Sequence, residues 1–161
     1  MFRRSARIRS RSRILILQRL DVLLCGPSLV ELVCVPPPDV EKVWPLVEPM
    51  LRKAIERTGL NDFADIESAL FTGSQLLWMA VSEGHIEAAV TTQLVKAGDV
   101  KACIIVACSG EESGRWLHLI GGIEKYAKDE GASRVRIYGR KGWERVLDGY
   151  RVEHVIMEKN L

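Results

Sequence analysis

Apolar positions along the chain change their period several times, and each change marks a predicted element. Glu31–Val35 (ELVCV) alternates polar and apolar side chains, the pattern of a short strand. Pro36-Pro37-Pro38 ends it, since proline brings no N–H to a ladder. From Val40 the spacing becomes helical: Val40, Val43, Trp44, Val47, Met50, Leu51 and Ile55 recur every three or four residues, which predicts a helix to about Thr58. Asp39 is placed to cap its start and Gly59 to close it. Pro45 and Pro49 fall inside the run and predict a kink or an early break. A second, short helix is predicted over Asp62–Phe71, stopped by Gly73.

A block of strands comes next. Gln75–Ser82 (QLLWMAVS) and His85–Val95 (HIEAAVTTQLV) flank Glu83-Gly84, a hairpin signal. After the turn Ala97-Gly98-Asp99, Val100–Ala107 (VKACIIVA) is almost continuously apolar, as a strand buried on both faces is. The stretch CSGEESGRW, Cys108–Trp116, then hands over to an amphipathic helix with Trp116, Leu119, Ile120, Ile123 and Ala127 on one face, ending at Gly131. Ser133–Tyr138 alternates as a strand, Lys141–Leu147 reads as a short helix, and Tyr150–Met157 reads as a last strand.

Composition narrows the class. With 161 residues, 47% hydrophobic and 27% charged, the chain has the balance of one soluble globular domain. No apolar run reaches the ~20 residues of a membrane span, and a cytoplasmic location is the expectation. The net charge of +2 is unevenly distributed: seven of the 23 Lys and Arg lie in residues 1–20, which hold no acid, leaving 16 against all 21 Asp and Glu. The body is therefore mildly acidic. Nucleic-acid binding by it is not expected, because such binding depends on phosphate neutralisation. Residues 1–29 fit a transit peptide, a basic arm for nucleic acid or a membrane surface, or upstream sequence translated from an early start. The break in composition near Val30 favours the last, so residues 1–29 are expected to be disordered or foreign to the native protein, and 30–161 to be a single domain. Cys25, Cys34, Cys103 and Cys108 form no CxxC pair, and His85, His118 and His154 lack ligand spacing, so neither a metal site nor a disulfide framework is expected.

The order strand, helix, helix, three antiparallel strands, helix, strand, short helix, strand resembles the GNAT acyltransferase fold over about 31–161. GASRVRIYGRKGWERVLDGYRVEHVIMEK, Gly131–Lys159, is similar to the closing strand, helix and strand of that family, with Gly149-Tyr150 as its Gly-aromatic pair. GRKGWERVLDGY also resembles small GNAT-like proteins encoded by tailed phages and prophages. The resemblance implies an α+β, three-layer domain with a mixed, mostly antiparallel sheet flanked by helices. It also implies acetyl-CoA as acyl donor and an amine of unknown identity as acceptor. A homo-oligomer is a further expectation, because open edges in such folds pair.

The same resemblance assigns candidate residues. The backbone near Ile105, Val106 and Ala107 would hold the pantetheine arm, and the turn Ser109, Gly110, Ser113, Gly114 and Arg115 the pyrophosphate. In the family's Gln/Arg-x-x-Gly-x-Gly/Ala pattern, Glu111, Gly114 and Trp116 take the defining places, and Gly114 matches. Arg145 stands where many members carry the tyrosine that protonates the leaving thiolate. Glu83 and Glu87 on the hairpin are the candidate bases, with His85 between them. Arg134, Arg136, Arg140 and Lys141 form a basic cluster suited either to CoA phosphates or to a solvated rim. Two readings of the turn stay open. Ser109 with Glu112 three residues on is a capping-box pattern, which would close the helix start upon itself and set carboxylates against an anion. Function accordingly has two readings as well: an N-acyltransferase, or a GNAT-fold binding protein of phage type without catalysis.

Overall fold

The computed structural model describes residues 29–139 and 141–161, so the arginine-rich residues 1–28 and Arg140 lie outside the described residues. Among the described residues the sheet has five strands in sequence order: β1 (Glu31–Val35), β2 (Leu76–Ser82), β3 (His85–Ala97), β4 (Val100–Gly110) and β5 (Arg134–Ile137). The first three junctions are antiparallel, and β5 joins β4 parallel. This is the mixed, mostly antiparallel α+β sheet that the sequence predicts. Glu83 and Gly84 between β2 and β3 both have positive φ, 49° and 78°, as a two-residue turn matching strand twist requires.

Alternation along the strands sends side chains to two cores. Leu77, Met79, Ala89 and Ile104 pack with Val47, Leu51 and Ile55 of α1 (Val40–Thr58) and with Ile66 and Leu70 of α2 (Phe63–Thr72). On the other face Trp78, Val90, Cys103 and Ile105 meet Ile120, Ile123 and Ala127 of α4 (Ile120–Asp129), with Leu147. β4 is thus buried on both sides, which is why its sequence is a nearly unbroken apolar run. α1 continues through Pro45 and Pro49 without the early break expected for it. Both prolines lie away from the buried stripe, toward the side where helices bow outward and backbone bonds lengthen at least cost. Asp39 does not cap α1 through its side chain; its carboxylate pairs with Lys42 at 2.7 Å.

Three other expectations are corrected. The helix after β4 is broken into α3 (Ser113–Trp116), a 3-10 turn (Leu117–Leu119) and α4. Gly114, Gly121 and Gly122 weaken a continuous helix, and Trp116 leaves helical geometry at φ −120°. Lys141–Leu147 forms a 3-10 helix over Lys141–Arg145 in place of an α-helix. The last strand, Tyr150–Met157, is absent: residues 151–161 hold no regular structure and are exposed. β5 is only four residues long, so it offers too short an edge to order a segment of eight.

Two measurements test this packing. Leu51→Ala, at 0% exposure, lowers unfolding stability by about 2–5 kcal/mol in urea titration. Leu46→Ala on the same helix, at 63% exposure, stays within about 0.5 kcal/mol. Burial pushes the thiols of Cys34 and Cys103 up to about 11 and that of Cys108 up to about 12, from 9.0. Between those limits the unfolded chain loses thiol protons that the fold retains, so stability is full below pH 9.0 and falls as pH rises toward 11–12. Urea midpoints across that range check the sign, and in the triple Cys→Ala variant the thiol-linked part of the decline disappears.

Candidate functional site

β4 and β5 are paired only from Ala102–Ile105 against Arg134–Ile137. The last link is the Tyr138 N–H donating to the Ile105 carbonyl at 3.0 Å. Beyond it β4 continues to Gly110 on β3 alone, and no described strand lies along its other edge. The two strands therefore part, opening a cleft of about 1020 Å³. Its walls are α1 (Met50, Lys53, Ala54, Arg57), the end of β4 with the turn to Ser113, and the end of β5 with Trp143.

Two bulges shape the opening. Thr91 faces Ala107 while Thr92 faces Ile105, leaving Val106 as the extra residue of β4. Val106 and Ala107 consequently lie on the same core face, where strict alternation would separate them. Ala80 faces Ala88 while Val81 faces Ile86, which makes Glu87 the extra residue of β3. Each bulge aims one candidate residue at the cleft.

The turn is built around an indole. Trp116, 3% exposed, lies on the small side chains Ala80 and Ala88, and its Nε1–H donates to the Glu111 carbonyl at 2.7 Å. A Cβ on Gly110 would meet Ala88 Cβ at 2.7 Å, the Glu87 carbonyl at 2.7 Å and the Trp116 ring at 2.8 Å, so only glycine fits beneath the ring. Ser109 and Gly110 remain in the ladder opposite Ala89 and Ala88. The capping box is corrected on this ground: Ser109 is held in a strand, and Glu112, at φ 45°, occupies the N-cap of α3 with no side-chain cap bond. The Arg115 guanidinium reaches Glu87 across the turn at 2.9 Å and Glu112 at 3.8 Å.

Of the candidates, Glu87, Val106, Ala107, Ser109, Gly110 and Ser113 share the cleft wall. Glu83 lies at the exposed tip of the β2–β3 turn. Ile105 points to the opposite core, Gly114 faces open space, and Arg115 is engaged with the two glutamates. Residues not singled out from the sequence complete the site. Lys53 and Arg57 follow Met50 and Ala54 at helical spacing, one stripe beside the buried Val47-Leu51-Ile55 face, and that spacing was the available signal. Tyr138 and Trp143 enter only through the divergence of β5, which no local pattern reports. Tyr150, by contrast, donates to Glu124 at 2.9 Å beside α4, and burial together with this bond holds its hydroxyl well above the usual tyrosine range. A larger open groove of about 1480 Å³ runs along the outer edge of β5; it is lined by Arg134, Arg136 and Lys141 of the basic cluster and by Gly149-Tyr150, and by none of the candidates on β3, β4 or the turn after β4. Among the described residues no three His, Cys, Asp or Glu side chains come together to hold a metal, and no helix is long and apolar enough to cross a membrane.

No family model and no curated protein matches the chain. Solved structures do. An aminoglycoside acetyltransferase from an uncultured soil metagenomic sample, in complex with sisomicin, superposes with a TM-score of 0.60 at 13% identity, over 83% of this chain and 96% of that one. The aminoglycoside N-acetyltransferase AAC(6')-Iy in complex with CoA gives 0.60 at 12% identity over 86% and 99%. A predicted acetyltransferase with acetyl-CoA from Clostridium acetobutylicum gives 0.55 at 12% over 82% and 96%. At these identities the likeness is one of fold, and the fold is that of the GNAT acetyltransferases, as a GNAT family acetyltransferase from Staphylococcus aureus shares it with a TM-score of 0.57 at 14% identity over 83% of this chain and 99% of that one.

Proposed function

We propose that the chain is an acyl-CoA-dependent N-acyltransferase that moves an acetyl group from acetyl-CoA to an amine. The observation that carries this reading is the parting of β4 from β5 at Ile105, with the bulge at Val106 beside it. An open strand edge there accepts an extended amide-bearing chain as a further strand would be accepted, which suits the pantetheine arm. The similar structures with CoA and acetyl-CoA support a cofactor of this class.

In this reading the amine nitrogen attacks the thioester carbonyl. A C–N bond forms, the C–S bond breaks, and the ammonium proton leaves to a base while the departing thiolate takes one up. Of the carboxylates on the cleft wall, Glu87 is the one set on the bulge of β3 and paired with Arg115, and it receives the proton directly or through water. Glu83 stands outside the cleft, so the role falls to Glu87 alone. Tyr138, at the open end of β5, supplies the acid for the thiolate that Arg145 does not. The phosphates meet a mixed field. Glu111 and Glu112 line the turn, and two unit charges 4 Å apart repel by roughly 4 kcal/mol at an effective dielectric of 20. Lys53 and Arg57 across the cleft, and Arg115 beside Glu112, act against that repulsion. The acidic turn and the indole that fills it favour a second reading, a GNAT-fold binding protein of phage type that has lost the cofactor.

Calorimetry separates the two. The acyltransferase reading expects micromolar binding of acetyl-CoA that weakens with salt. It expects loss of binding in Gly114→Trp with the melting temperature retained, because nothing lies within 4 Å of a Cβ there. Gly110→Ala is the contrast: it forces the Trp116 seat apart and costs about 1–3 kcal/mol of stability. Glu87→Gln is expected to leave acetyl-CoA affinity in place and to lower kcat for an accepted amine by about 10²–10⁴-fold. No heat at millimolar acetyl-CoA would leave the binding-protein reading standing.

A further inference from the structure

Among the described residues no strand pairs with the outer edge of β5, and the segment from Arg151 onward lines the groove along that edge without regular structure. The first residues of the segment are tied down. The Val152 N–H donates to Glu144 at 3.3 Å, and Glu153 accepts from Arg151 at 2.6 Å and lies 3.8 Å from Arg134. Arg134 is the first residue of β5, so the chain has already reached the end of its own sheet at Glu153. Residues 154–161 run past it. Val155 is 79% exposed, Ile156 64% and Met157 92%, three consecutive large apolar side chains in solvent. Single exposed apolar residues are ordinary, whereas such a run marks a surface that is covered by something.

The occupant is specified by the segment itself, because the sequence is complementary to its own antiparallel copy. With a two-fold axis through Ile156, Ile156 opposes Ile156, Val155 opposes Met157, His154 opposes Glu158 and Glu153 opposes Lys159. On one face the isoleucine pair is bracketed by two His–Glu pairs, and on the other two Val–Met pairs are bracketed by two Glu–Lys pairs. Directly opposed side chains of this kind are the unit of sheet stabilisation, and like charges there destabilise. Neighbouring registers with the axis on a residue lose the match: centring on Val155 sets Arg151 against Lys159, and centring on Met157 sets Glu158 against Ile156. A two-fold contact needs a self-complementary patch, which this segment provides.

We propose that residues 153–159 form a strand on the same residues of a second copy of this chain, antiparallel and centred on Ile156, as the interface of a homodimer. The segment is unpaired in a single chain because its partner strand belongs to the other copy. The dimer does not depend on the acyltransferase reading.

Sedimentation of the full chain at tens of micromolar is expected to give a dimer. Ile156→Lys is expected to give a monomer with an unchanged circular dichroism spectrum. Register is read by oxidation of cysteine variants against the parent chain as background. Ile156→Cys is expected to form a disulfide-linked dimer readily, since opposed Cβ atoms lie about 4.5–5.5 Å apart. Val155→Cys is not, since two Val155 positions sit on a diagonal of about 7–8 Å, and Val155→Cys with Met157→Cys together restores the link. A monomeric parent chain, a dimer that survives Ile156→Lys, or equal cross-linking at 155 and 156 would each overturn the proposal.

Discussion

The parallel ladder between β4 and β5 stops after four residue pairs, and the candidate site exists because it stops there. Up to Ile105, β4 is a central strand with partners on both edges and helices on both faces. Past Ile105 it keeps β3 and loses β5. A buried strand cannot leave peptide groups without partners at no cost, so the freed edge is a place where either water or a ligand backbone must bond. The bulge at Val106 falls at this boundary. It breaks the alternation of β4 where its surroundings change, and so turns two successive side chains, Val106 and Ala107, toward α1.

The turn after β4 is governed by packing before charge. Trp116 needs a flat, small-residue floor, which Ala80, Ala88 and Gly110 supply, and its indole N–H fixes the Glu111 carbonyl. Gly110 is thus a packing glycine, while Gly114, in open space, is the glycine free to approach a ligand. Glu112 is held at φ 45° with its carboxylate near Arg115, and Arg115 spans to Glu87 on the bulge of β3. A charged contact therefore links the turn to the candidate base, and any anion that draws Arg115 away alters the setting of Glu87.

Much of the fold was legible because its signals are local. The alternation of Glu31–Val35, the helical stripe Val47-Leu51-Ile55, Gly59 and Gly73 as helix stops, and Glu83-Gly84 as a hairpin turn are each decided by a few adjacent residues. The double-sided burial of β4 was legible from its unbroken apolar run. What misled was local chemistry overruled by longer-range pairing. Ser109 and Glu112 have the spacing of a cap, but Ser109 is held by Ala89 across the ladder. Residues 150–157 alternate like a strand, but a strand requires an edge, and the four residues of β5 do not extend far enough to supply one. Of the residues that line the cleft, Glu87, Val106, Ala107, Ser109, Gly110 and Ser113 could be named in advance and Ile105 was misplaced, whereas Lys53, Arg57, Tyr138 and Trp143 come together through the spatial divergence of two strands and the placement of α1 over it.

Hydrogen–deuterium exchange with and without acetyl-CoA tests most directly whether that divergence is a cofactor site. Slower exchange is predicted at the amides of Val106–Gly110 and of the turn to Gly114 when acetyl-CoA is present, with β1 and β2 unchanged. Exchange that is unaltered there at saturating acetyl-CoA, or protection confined to the groove along the outer edge of β5, would contradict a cofactor site in the cleft.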